Sequence, residues 1–154
     1  MIKKLLIAVV IIVVGIQFIP VDRSNPPVTM DVGADEATAM ILRRSCYDCH
    51  SNETVWPWYS YVAPVSWLIS EDVEHAREHV NFSEWDKYDE KRINKIKEDI
   101  VEEVGGKAMP LKSYLVMHTQ ARVSDVDFQI IKNWAEAGEG MMKEEHEDSS
   151  EGNE

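Results

Sequence analysis

The chain has 154 residues and a formal net charge of -12, room for one domain of ordinary size once an N-terminal segment and a tail are set aside. The acidic balance argues against nucleic acid, whose phosphates are held by clustered Lys and Arg. Any electrostatically steered partner should be basic.

Lys3 and Lys4 precede an uncharged run from Leu5 to Ile19, interrupted only by Gly15 and Gln17. Residues 1–21 therefore read as a signal anchor or signal peptide. No A-x-A-like cleavage site precedes Pro20 and Val21, which favours an uncleaved N-terminal membrane helix. At about 1.5 Å per residue the run is short for a hydrocarbon core of about 30 Å, so a cleaved signal and a soluble periplasmic protein form the alternative. Lys3 and Lys4 would stay in the cytoplasm, placing the domain at the outer, periplasmic face of a bacterial inner membrane.

Asn25-Pro26-Pro27 cannot continue a helix, and residues 22–30 read as an extended spacer. The folded domain is expected over 31–140. Asp31 to Arg44 carries Ala34, Ala37, Ala39, Met40, Ile41 and Leu42 between an acidic start and Arg43-Arg44, the charge order that suits a helix dipole. That helix delivers the chain into Cys46.

Both cysteines lie within Cys46-Tyr47-Asp48-Cys49-His50. C-x-x-C-H is the spacing by which haem c is covalently attached, with the adjacent imidazole ligating iron from the proximal side. One covalent haem c is the expected load. Two competitors exist for a bare C-x-x-C. A zinc site wants a second ligand pair, and there is no other cysteine; a thioredoxin-like dithiol wants a βαβ context, whereas the following chain reads as helical. Without its ligand, such a domain should show a cavity beside Cys46 and Cys49, or a contact between their sulfurs.

Trp56-Pro57-Trp58-Tyr59-Ser60-Tyr61 follows. Trp56, Trp58 and Tyr59 are candidate haem-pocket residues, because a porphyrin is a large flat apolar object, and Trp58 or Tyr59 could meet a propionate through a polar tip. Pro64 suits the first position of a helix running to about Val80, with Val65, Leu68, Ile69, Val73, Ala76 and Val80 as its stripe. His75 and His79 sit at the edge of that stripe, where solvated histidines are the commoner reading and a metal pair the rarer one. Ser83-Glu84-Trp85-Asp86 reads as an N-cap, and from Asp89 a helix carries Ile93, Ile96, Ile100, Val101 and Val104 to a stop at Gly105-Gly106.

Met109-Pro110 lies in the loop beyond. Thioether sulfur is a soft ligand suited to haem iron, and Met109 is the candidate distal ligand; its rivals are His118, His75, His79 or an open site. Ser124 should cap a last helix with Phe128, Ile131, Trp134 and Ala135 inside and Gly138 at its end. Residues 141–154 form an acidic run expected to be a disordered tail. Nothing alternates as strands, so the fold class is all-α.

Helix, C-x-x-C-H, G-G-x-x-M-P and a capped final helix, in that order from Ala34 to Ala137, resemble class I c-type cytochromes. More narrowly, Cys46 to Thr54, Trp56 to Tyr59, Ala63 to Trp67, Asn81 to Trp85 and Met109-Pro110-Leu111 are similar to the bacterial haem-binding domain family of exported proteins with one such motif. The resemblance implies a small cytochrome-c-like helical domain in which Cys46 and Cys49 hold haem, His50 is the proximal ligand and Met109 the distal one. With His50 and Met109 saturating the iron no position is left for substrate, so one-electron transfer with redox partner proteins is the leading expectation. The alternative is a haem enzyme or sensor for peroxide or a diatomic gas with an open or displaceable distal site. The long insert between the motif and Met109 departs from the smallest cytochromes.

Overall fold

The computed structural model describes the backbone of residues 1–148 and the side chains of residues 1–137. Among its described residues the regular elements are all helices, and the only β feature is an isolated parallel bridge between Met30 and Glu84. The all-α expectation therefore holds.

Helix α1 spans Ile2–Ile16 and buries none of its side chains. At about 1.5 Å per residue it falls short of a hydrocarbon core of about 30 Å. Among the described residues no helix is long and apolar enough to cross a membrane, so the expected N-terminal membrane helix is present as a helix but not as a full span.

The stretch expected as a spacer is extended, and it is bonded along the domain. Arg77 donates to Ser24 O at 3.0 Å and to Asn25 Oδ1 at 2.9 Å, Asn52 Nδ2 donates to Pro27 O at 3.0 Å, and Thr29 N to Ser83 O at 2.9 Å. These partners satisfy backbone carbonyls that a proline-rich segment cannot pair within itself.

Helix α2 is Glu36–Ser45. It starts later than the acidic pattern suggested, because Asp35 is the cap: its carboxylate accepts from Ala37 N, Thr38 N and Thr38 Oγ1. Asp31 is engaged elsewhere, accepting from the Tyr47 hydroxyl and from Arg43. Helix α3, Tyr47–His50, follows at once and packs on α4, Val65–His79, where Pro64 is the N-cap, one position before the place expected of it.

The core begins inside the motif. Tyr47 is buried and stacks on Phe82 at 5.3 Å; Phe82 stacks on Trp85 at 6.1 Å, and Tyr88 closes edge-on. Val32, Leu42, Val80, Ile96, Trp134 and Ala135 complete this cluster. Beneath it Asn81 Nδ2 donates to Asn52 Oδ1 at 2.8 Å, Ser83 N donates to Asn81 Oδ1 and Asn52 N to Ser83 Oγ, both at 3.0 Å. The Asn-Phe-Ser stretch thus locks the loop after His50, and Phe82 N donates to His50 O at 2.8 Å.

Trp85–Lys87 is a short 3-10 turn, and α5, Glu90–Gly105, takes its cap from Asp89, which accepts from Arg92 N at 2.7 Å. The glycine pair ends α5, but the left-handed residue is Lys107, at φ 59°. Gly105 is needed for a different reason: a Cβ there would lie 3.0 Å from the ring of Phe128 on the last helix. Helix α6, Lys112–Met117, was not expected. Helix α7, Asp125–Asp148, packs on α5 and α2 and opens with a reciprocal Ser124–Asp127 cap. It continues through Gly138, since a glycine stops a helix by adopting a left-handed turn and otherwise costs only about 1 kcal/mol. Met141–Asp148 of the expected tail is therefore helical, and residues 149–154 lie outside the described residues.

Candidate functional site

Helix α3 presents the motif. Cys49 N and His50 N both donate to Cys46 O, at 3.1 and 2.9 Å, closing one turn that carries both cysteines. Both cysteines are free. Burial raises each thiol, Cys46 to about 12, helped by Cys49, and Cys49 to about 11, helped by Asp48 and Asp72. A reactive dithiol needs the opposite shift, which counts against the dithiol reading.

His50 is held by its ring. Nδ1 lies 3.1 Å from Ala76 O and 3.3 Å from Val80 O near the end of α4. Carbonyl oxygens only accept, so Nδ1 carries the proton and Nε2 is left with its lone pair. Desolvation lowers the imidazole pKa, which keeps the ring neutral. A metal-ligating histidine needs this outer partner to set its tautomer and aim.

Beside α3 lies a cavity of about 510 Å³. Its walls are Asp48 and Cys49 of the motif, Thr54 to Tyr59 without Trp56, the α4 stripe Val65, Leu68, Ile69, Asp72 and Val73, and Leu111, Ser113, Tyr114 and Met117 around α6. The apolar stripe that periodicity marks on α4 thus largely faces this cavity. Apolar side chains on the wall are open to solvent, Trp58 at 72% and Leu68 at 61%.

Of the expected site residues, Cys49, Trp58 and Tyr59 line the cavity, while Cys46, His50, Trp56 and Met109 do not. Met109 is half-buried just ahead of α6, and the methionine on the wall is Met117. The indole N–H groups of Trp56 and Trp67 are buried without an acceptor. His75 and His79 are exposed, and no group of three or more metal-ligating side chains occurs among the described residues.

Sequence reasoning missed the polar edge of the cavity. Asp48 accepts from Tyr114 Oη at 2.6 Å and from Val55 N at 3.1 Å, joining three walls. His118 stacks on Tyr114 at 4.1 Å, and its Nδ1 is 3.3 Å from the Tyr59 hydroxyl. Asp48 sat in plain view between the cysteines, but no spacing rule linked it to Tyr114.

Haem fits this arrangement. An imidazole with its outer nitrogen already bonded can ligate iron, the Cys49 thiol stands on the cavity wall, and a flat apolar group would cover the exposed wall. Fold and site together define a small helical haem-binding protein. The chain belongs to the haem-binding domain family, whose model matches residues 11–137. That span takes in the end of α1 and the docked extended stretch. No curated protein and no solved structure matches the chain.

Proposed function

We propose that the protein carries one covalent haem c and transfers single electrons. Cys46 and Cys49 would hold the group through thioethers, His50 Nε2 would ligate iron from the proximal side, and Met109 would supply the distal sulfur. The group itself supplies reversible one-electron chemistry. The protein excludes water with the α4 and α6 walls, sets the ligands and leaves an edge near Trp58 for contact with redox partner proteins. The observation that carries this reading is the double carbonyl contact of His50 Nδ1.

In the same reading the N-terminal segment is a retained anchor at the outer face of a bacterial inner membrane, supported by α1, which is uncharged after its Lys3 and Lys4 and buries no side chain. Local thinning or tilt would accommodate its short length.

A second reading has its own support. Met109 is off the cavity wall, while Tyr59, Tyr114 and Met117 are on it, as suits a displaceable distal ligand and a sensor or enzyme for peroxide or a diatomic gas. Replacing Met109 with Ala in the haem-loaded protein separates the two. Electron transfer through His/Met iron predicts loss of the long-wavelength methionine-to-iron absorption and a lower potential. An unchanged spectrum, with carbon monoxide binding by the unaltered protein, sinks it and favours the second reading.

A further inference from the structure

The face of the domain next to α1 has a character that the haem cavity does not require. The apolar surface of α1 continues past its end into Phe18 and Ile19, both exposed. The Gln17 side chain then pairs with the backbone of one residue of the domain, accepting from Ala63 N at 2.9 Å and donating to Ala63 O at 3.2 Å. Arg23 Nε donates to Ser60 O at 2.8 Å, and its guanidinium lies 4.5 Å from the centre of the Tyr61 ring. Farther along, Ser70 Oγ donates to Asp22 O at 2.9 Å and Arg77 to Ser24 O at 3.0 Å, so the chain leaving α1 runs along α4 from its first turn toward its last. These bonds set Tyr61, Val62 and Val65, all exposed, beside the end of α1. Tyr61 and Val62 are not on the cavity wall, so a ligand there leaves them uncovered; Val65 belongs to both surfaces.

We propose that Phe18, Ile19, Tyr61, Val62 and Val65 form a face that rests on the lipid bilayer entered by α1, so that the haem cavity opens beside the membrane surface. The proposal rests on the retained-anchor reading. Three physical arguments select lipid as the occupant. The face is continuous with the apolar helix that would enter the bilayer. Its aromatic and aliphatic side chains, with an arginine laid over a ring, are the mixture that settles at a membrane interface. None of the five residues is charged, in a chain of net charge -12 that anionic head groups would otherwise repel. Electron exchange would then favour lipid-soluble or membrane-embedded partners over freely diffusing ones.

The test uses the full-length haem-loaded protein in phosphatidylcholine vesicles, a lipid-soluble photoactivated carbene probe, and peptide mass spectrometry, with intact mass confirming that residues 1–21 are present. The proposal expects label on α1 and on 61–65, and none on α5. It also expects the label at 61–65 to be lost, and that on α1 kept, when Gln17→Ala and Arg23→Ala are combined. Label on α1 with none on 61–65 overturns the membrane face and leaves the anchor standing. Protein recovered without residues 1–21 overturns the anchor and the face together.

Discussion

The Tyr114 hydroxyl donates to Asp48 Oδ2 over 2.6 Å, tying the helix after Met109-Pro110 to the middle of the C-x-x-C-H motif. The two residues stand 66 apart in sequence, and both line the cavity. This bond closes the site as much as any apolar contact does. Tyr114→Phe removes the donor and leaves a half-buried carboxylate oxygen without it, so unfolding should become easier by about 1–2 kcal/mol. Denaturant titration should show a lower midpoint with an unchanged slope.

The same pair sets an alkaline limit. Burial and the bond to Asp48 raise the Tyr114 phenol above its ordinary value, and burial raises Tyr59 beside it. A raised folded-state pKa means that the unfolded chain gives up the proton first. The stabilisation is therefore fully present below about pH 10 and is lost as pH climbs from there toward the folded value. Stability measured across alkaline pH should fall more steeply in the natural protein than in Tyr114→Phe; equal slopes would refute the assignment.

Asn81 is the hinge of a buried amide network, donating to Asn52 Oδ1 and accepting from Ser83 N. Asn81→Ala leaves both groups unpaired away from water and should cost about 2–4 kcal/mol. Amide hydrogen exchange should quicken first in the 51–54 and 81–83 segments, with the α5–α7 pair following only on global unfolding.

Gly105 lets Phe128 approach α5. A methyl group at 3.0 Å from the ring must push it aside, and Gly105→Ala should destabilise by about 1–3 kcal/mol despite the better helix propensity of alanine. Adding Phe128→Leu should return part of that loss. Thermal unfolding of the two single variants and the double variant reads the coupling directly.

Much of the fold could be read from local pattern. Pro64 and the stripe behind it marked α4, Asp89 marked the start of α5, and Ser124 with Asp127 marked α7. The motif marked α3, whose Cys49 lines the cavity and whose His50 ring is held by carbonyls near the end of α4. What escaped depends on pairings with no spacing: Asp48 with Tyr114, Arg77 with Ser24 and Asn25, Gln17 with Ala63. Phe82 escaped as core because it lies in a segment with no helical period. Gly138 misled for a physical reason, since a glycine is permissive of a stop and does not impose one. Met109 is picked out by its chemistry, but the methionine that lines the cavity is Met117.

The central claim is that Cys46, Cys49 and His50 hold a covalent haem. Protein produced with haem-attachment machinery should be run on a denaturing gel and stained for haem peroxidase activity, and its pyridine haemochrome recorded beside that of Cys46→Ala/Cys49→Ala. The account predicts haem that stays with the denatured chain, the spectrum of two thioether bonds, and loss of both in the double variant. A colourless band from the natural protein, or haem that leaves on denaturation, would contradict it.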